Sequence, residues 1–382
     1  MRESVEAAER REEVREAARA WNRAGTIDEK TLDAIVKEYP DERSRVRPAF
    51  RVLLFLFTFV AAGSGFAVLA ESDFPVGALL FSFALASIAL TELQTGKMRR
   101  SGAGAEEATA LLSFGFSIAF LAWSFDESGG EFPWRFLSGA AVVLASAAAW
   151  RWGLSFFGAL AAASLFLSLS FWPGARACWV VAALALLFPL LAASVSPRLA
   201  PSHRRSADAA LVTTLAALYF AVHLGSYDAG LLERGALLGP FEGARRDRIL
   251  YIMGTAVVPL FVLVGGFILR RPLLLRMGVV LGVASLVTLR FYVHVAPLWV
   301  VLISCGSAAV GIGMLLNRYL ASGPGGERHS FTAEPLFGES SRTGAIEAGL
   351  AVALAPGSAP KESPGFRGGG GEFGGGGASG KF

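Results

Sequence analysis

Charged residues are scarce in this chain. Asp, Glu, Lys and Arg supply 17% of its 382 residues, against roughly 25% in an ordinary soluble domain. With 53% of residues hydrophobic, too little polar surface remains to coat a water-soluble fold, which excludes a soluble enzyme over most of the chain. Cysteine is nearly absent: Cys178 and Cys305 are the only two. Both lie inside apolar stretches, so a secreted disulfide scaffold is excluded as well. Catalytic and cofactor signatures are missing. No H-E-x-x-H, C-x-x-C or G-x-S-x-G occurs, so no metalloprotease, zinc site, redox dithiol or serine hydrolase is expected. Gly63-Ser-Gly65 and Gly311-Ile-Gly313 lack the third glycine of a dinucleotide fingerprint. Gly375-Gly-Gly-Ala-Ser-Gly380-Lys381 imitates a phosphate loop, but Phe382 stands where that motif needs Ser or Thr. The chain is therefore expected to be no enzyme and to hold no cofactor or metal.

Apolar residues come instead in uninterrupted blocks of about 17–24 residues, the length a helix needs to cross roughly 30 Å of hydrocarbon. Ten such blocks are expected to span, at about 50–70, 74–90, 107–125, 136–150, 153–171, 176–195, 208–225, 249–269, 273–289 and 296–316. The expected fold is all-α and polytopic: about ten transmembrane helices over 50–318, a helical cap over 1–49 and a disordered Gly-rich tail over 319–382. The tight Arg151–Trp152–Gly153 connection predicts a close hairpin between the fourth and fifth spans.

The net charge of +4 invites a nucleic-acid reading, which disappears on inspection by region. Residues 1–49 carry 11 basic and 12 acidic side chains, and 319–382 carry 5 and 6. The surplus sits in short loops between apolar blocks, where arginine and lysine act as topology signals. One set of loops, with Arg43, Lys97, Arg151, Arg198, Arg204, Arg205 and Arg271 among its members, holds fifteen basic residues. The other, with Arg135, Arg176, Arg248 and Arg290, holds seven. That asymmetry predicts both termini in the cytoplasm. With no apolar segment in the first 49 residues, the first span is expected to be the insertion signal.

The cap reads as two short helices. Val14, Ala17, Ala18 and Trp21 make one apolar stripe, and Gly25 ends that helix in the left-handed conformation. Asp28 caps the second, whose stripe runs through Ile35, Val36 and Tyr39 until Pro40. The two stripes are expected to bury against each other. Without a positive surplus the cap is not expected to bind nucleic acid. In the tail, 17 of the 44 glycines lie beyond residue 318, so ordering it would cost more entropy than its apolar surface returns. Only 345–355 is apolar there, too short to span.

Ionisable groups deep in hydrocarbon would point to function, because they are expensive there. The spans show no mid-span Asp, Glu or Lys. The candidates are instead at the expected outer rim: His223, Tyr227 and Asp228 after the seventh span, and Arg290, Tyr292 and His294 between the ninth and tenth. Adjacent spans would bring them into a polar pocket able to take a proton or metal, the alternative being interfacial anchoring. Gly254, Pro259, Gly265 and Gly266 make the eighth span the candidate for a broken helix, the device by which transporters expose backbone to substrate. Small residues at four-residue spacing, Ala141/Ala145/Ala149, Gly278/Gly282 and Ser307/Gly311, are expected at helix–helix contacts within the chain.

The order of parts resembles a known family. Trp21…Gly25-Thr-Ile27 and Tyr39-Pro40 precede the spans, then Met98-Arg-Arg100…Ala105-Glu-Glu107-Ala108 leads into Leu111-Leu-Ser-Phe-Gly115-Phe-Ser-Ile118. Over roughly residues 10–125 this resembles the prokaryotic membrane proteins grouped as domain of unknown function 2157. Separately, Gly374-Gly-Gly-Gly-Ala-Ser-Gly380 is similar to the tails of membrane proteins carrying a TPM domain. The resemblance implies a multi-pass inner-membrane protein and carries over no catalytic residues. Two functions stay open. One is a non-enzymatic structural or interaction protein, with the bilayer as its first partner and other proteins recruited through cap and tail. The alternative is a secondary transporter of a small neutral or apolar solute, built as five spans plus five.

Overall fold

A computed structural model of the chain describes residues 3–23, 25–40, 48–96, 104–127, 134–232 and 245–293, with isolated positions between 300 and 332. The chain divides into two units, 1–311 and 312–382.

The first unit is helical among its described residues. The cap is α1 (Glu3–Arg23) and α2 (Glu29–Glu38). Then come α3 (Pro48–Ala70), α4 (Val76–Gly96), α5 (Ala105–Glu127), α6 (Trp134–Trp152), α7 (Ser155–Ser170), α8 (Ala175–Val195), α9 (Pro201–Val222), the short α10 (Leu224–Asp228), α11 (Arg245–Ile268) and α12 (Pro272–Val293). Seven of these, α3, α4, α5, α8, α9, α11 and α12, are long and apolar enough to cross a membrane. Helices α6 and α7 coincide with the fourth and fifth expected spans but fall outside that group. The 16 residues of α7 rise about 24 Å at roughly 1.5 Å each, short of the roughly 30 Å hydrocarbon layer. The tenth expected span, 296–316, lies mostly outside the described residues.

Burial runs opposite to apolarity. None of the apolar window of α3 is buried, and only 11% of that of α8, the two most apolar spans; α9, the least apolar, is 56% buried. In water the greasiest helix would occupy the core. Here it faces outward, as expected where lipid tails are the solvent and helices associate through packing and polar contacts. The chain has the architecture of a polytopic membrane protein.

Helix α9 is the hub. Leu211, Leu215 and Tyr219 form a buried cluster with Val262 of α11 and Leu274 and Leu281 of α12. Ala217 and Leu218 pack with Phe166 of α7 and Ala183 of α8. Against α7 the approach is backbone to backbone: a Cβ on Gly158 would lie 2.0 Å from the Ser206 carbonyl oxygen. The expected α6–α7 hairpin forms, with Gly153 at φ +67° turning the chain and Ala145 and Ala148 buried against Phe157. Gly278 lies against Leu263 of α11, 2.5 Å from where its Cβ would stand.

Several expectations need correction. Gly282 has open space at its Cβ position, so no neighbour closes on it as Leu263 does on Gly278. Gly254, Pro259 and Gly265 do not break α11, which stays continuous from Arg245 to Ile268; neighbouring helices supply what Pro259 removes from the ladder. Gly254 instead admits Val222, 3.0 Å from its Cβ position, while Gly265 faces open space. Helix α9 begins at Pro201, well before residue 208, because its polar first turns are covered by protein rather than lipid. In the cap, Gly25 takes φ +71° and Asp28 Oδ1 accepts from Thr31 N at 3.0 Å. That bond holds the Asp28 carboxyl below its usual range. The stripes, however, do not bury each other: Val14 and Trp21 are exposed and α2 buries no residue. Helix α1 instead docks on the start of α9, where Glu9 Oε2 accepts from Ser202 N at 3.1 Å and Glu13 pairs with Arg204 at 2.7 Å.

In the second unit, β1 (Glu327–Arg328) and β2 (Phe331–Thr332) form a two-residue antiparallel pair. The expected tail disorder and the apolar 345–355 segment lie outside the described residues.

Candidate functional site

Polar side chains gather in two layers, one at each end of the bundle. The layer far from the cap is built on the end of α9 and on α10. Arg176, in the first turn of α8, is 7% exposed although it is an arginine. A buried cation needs acceptors, and it has them. Nη1 donates to Ala221 O at 2.6 Å and Ser226 Oγ at 3.1 Å. Nη2 donates to Ser226 O at 3.2 Å and to Leu231 O. Its guanidinium also sits 4.9 Å from the Tyr251 ring centre and 5.8 Å from that of Tyr227, two rings stacked at 4.1 Å. Carbonyl dipoles and aromatic faces thus gather around the charge.

Beside it runs a hydroxyl chain. Tyr219 OH meets Ser285 Oγ at 2.9 Å, and Ser285 Oγ donates towards Thr255 O at 2.6 Å and Leu281 O at 2.8 Å. Thr255 Oγ1 accepts Leu224 N at 2.8 Å, capping the start of α10. His223 Nε2 lies 2.7 Å from Thr288 Oγ1, whose own proton goes to Ala284 O at 2.9 Å. Just beyond the α9 span, burial pushes the His223 imidazole below its ordinary value. At the edge Asp228 pairs with Arg248 at 3.0 Å, and Arg248 also donates to Tyr292 O at 3.3 Å.

Of the six rim residues singled out from sequence, His223, Tyr227 and Asp228 therefore lie in one layer, each engaged with a different neighbour, and the Tyr292 carbonyl joins it through Arg248. Arg290, on α12, keeps its Nε buried without a hydrogen bond. His294 lies outside the described residues. Among the described residues no group of three or more His, Cys, Asp or Glu gathers, and His223 faces a threonine. What sequence reasoning missed is Arg176, read there as a loop charge. The signal available was its position: an arginine heading an apolar block directly after Pro173-Gly174.

The layer at the cap end is ionic. Arg271 reaches Asp208 at 3.0 Å and Ser194 Oγ at 2.6 Å. Arg151 grips Glu92 with two bonds of 2.7 and 2.9 Å, and Trp152 Nε1 adds a third at 3.0 Å. Arg51 pairs with Glu107. Glu92, near the end of α4, and Asp208, in the early turns of α9, thus lie within helices counted as spans but away from their middles. Two cavities open near this end. One of about 450 Å³ is lined almost wholly by apolar residues of α6 to α9, with Trp150 and His203 stacked at 5.2 Å on its margin. The other, about 320 Å³, lies among α4, α5 and α6 beside the Glu92–Arg151 pair.

Together the layers and the outward-facing spans define a helical membrane protein with two polar layers tied across its helices, while Trp179 Nε1, Thr214 Oγ1 and Arg290 Nε stay buried without a hydrogen bond. Comparison of the chain with protein-family models, with curated proteins and with solved structures gave no match.

Proposed function

We propose that this is a ten-span protein of the bacterial inner membrane, with both termini in the cytoplasm, acting as a non-enzymatic structural or interaction protein. The resemblance to the family called domain of unknown function 2157 fits that reading. The observation that carries it is the pairing of interior polar groups. Arg176, His223, Tyr219, Ser285, Thr255 and Asp208 each hold helices together and line neither of the two cavities described, whereas a solute path needs polar groups turned into a shared cavity. Glu92 borders the smaller cavity, bound there to Arg151. A surface for partners is at hand on the cap. Val14 and Trp21, one face of α1 seven residues apart, are 38% and 51% exposed, and bulky apolar residues left in water on a docked helix mark a contact site.

The test is site-specific photocrosslinking in cells. A photoreactive residue at position 21 gives a discrete protein adduct, and one at position 19 on the opposite face does not. Equal labelling at both positions, together with solute flux in proteoliposomes, would overturn the interaction role. Flux would favour the second reading, a carrier of small apolar solutes, which draws on the 450 Å³ apolar cavity.

A further inference from the structure

The 450 Å³ cavity is a slot with a distinct construction. Val142, Ser146 and Trp150 of α6 form one wall, and Leu186 and Leu190 of α8 the other. Gly158, Ala161, Ala162 and Leu165 of α7 and Ala207 and Ala210 of α9 form the floor. Small residues make that floor, so it is recessed. The wall residues Ser146 and Trp150 are exposed, so the slot opens sideways, between α6 and α8, onto the surface that faces lipid. Its size falls in the roughly 300–1,000 Å³ range of ligand sites.

The geometry points to an occupant: one acyl chain of an anionic phospholipid, entering from the bilayer through the gap between α6 and α8. Three features fit this chemistry. An apolar recess open to hydrocarbon is solvated by lipid tails and not by water. Trp150 is 66% exposed at the slot's cap-end margin and stacks flat on His203 at 6°, which suits the headgroup level where amphipathic rings collect. Charge at that end is positive on balance. Exposed Arg198 and Arg205 adjoin the lining residues Leu199 and Ser206 in sequence. Glu13 is paired with Arg204 and Asp208 with Arg271, which leaves two arginines against the Glu9 carboxylate, an acceptor from Ser202 N. A phosphate of net negative charge is thus favoured there over a zwitterionic head.

This inference rests on the membrane-spanning reading, and the experiment separates the two. Detergent-purified protein is exchanged into nanodiscs containing equal phosphatidylglycerol and phosphatidylcholine, re-extracted, and weighed by native mass spectrometry. The expected result is one retained phosphatidylglycerol per chain, with phosphatidylcholine retained about tenfold less. Ala161→Phe, which fills the floor, removes the retained lipid while the melting temperature in detergent holds. Ser146→Phe, at an exposed wall position, serves if Ala161→Phe fails to fold. The double change Arg198→Gln with Arg205→Gln keeps a lipid but loses the preference for phosphatidylglycerol. Retention unchanged by both filling variants, equal retention of the two lipids, a free fatty acid in place of phospholipid, or a lipid-independent dimer closing the slot would each overturn the proposal. A chain that stays monodisperse without detergent would overturn the membrane reading itself.

Discussion

Arg176 and Tyr251 meet face to charge, the guanidinium carbon 4.9 Å from the ring centre, although 75 residues separate them along the chain. The contact ties the start of α8 to α11, and the carbonyls of Ala221, Ser226 and Leu231 extend the grip to α9 and α10. One side chain thus fastens four helices at one end of the bundle.

Replacing Arg176 tests that role. Hydrogen bonds to charged groups contribute about 1.5–3 kcal/mol each, with losses shared because the acceptors are neighbours. Arg176→Gln is expected to lower unfolding free energy by about 3 kcal/mol, read as a drop in melting temperature in detergent. Arg176→Lys recovers little, since an ammonium cannot reproduce the planar fork or the stacking. A Lys variant as stable as the parent would show that charge alone suffices.

The backbone approach at Gly158 gives a paired prediction. Gly158→Ala places a methyl 2.0 Å from Ser206 O and is expected to destabilise by about 1–3 kcal/mol through overpacking. Gly282→Ala, with nothing within 4 Å, stays within about 0.5 kcal/mol of the parent. Thermal melts of the two side by side decide it.

The His223 site makes stability depend on pH. Its value is lowered in the folded state by burial, so the unfolded chain binds the proton more readily. Stability is therefore full above the unfolded value, about 6.5, and falls as pH drops through that value towards the lowered one. Melting temperatures at pH 7.5 and pH 5.5 are expected to differ in that order. His223→Gln, which keeps a hydrogen-bonding group for Thr288, is expected to reduce the difference.

Cap docking is electrostatic and exchangeable. Arg204→Glu repels Glu13 and is expected to speed protease cleavage within α1 several-fold. Adding Glu13→Arg restores protection by re-forming the pair with its charges reversed. Since exposed pairs contribute at most about 1 kcal/mol, raising the salt concentration in the parent chain should also speed cleavage. Cleavage rates unmoved by salt and by both variants would mean α1 is held by other contacts.

The spans were readable because an apolar block of sufficient length has few alternatives; α3, α4, α5, α8, α11 and α12 lie within a few residues of expectation at most ends. The start of α9 was not. Ser202, His203 and Arg204 look like loop when judged against lipid, and their cover comes from α1, α7 and Trp150, which hydropathy does not register; Arg205 beside them stays exposed. Arg176 was illegible for a similar reason: its acceptors are backbone carbonyls, which every residue has. At the rim, proximity of His223, Tyr227 and Asp228 followed from their sequence neighbourhood, but their partners Thr288, Tyr251 and Arg248 sit on other helices. Among glycines, spacing singled out both Gly278 and Gly282; only the local approach of α11 distinguishes them, while Gly158, four residues before Ala162 and not singled out, has the tighter backbone contact.

The position of α9 bears on how the chain holds together. A segment with Arg204, Arg205 and Asp208 in its early turns is costlier to place in hydrocarbon than its apolar neighbours. Its shelter is protein: Ala183 of α8 and Phe166 of α7 pack on it, and Glu9 and Glu13 of α1 meet its first turn. The least apolar of the seven helices is thus the one that leans most on its neighbours.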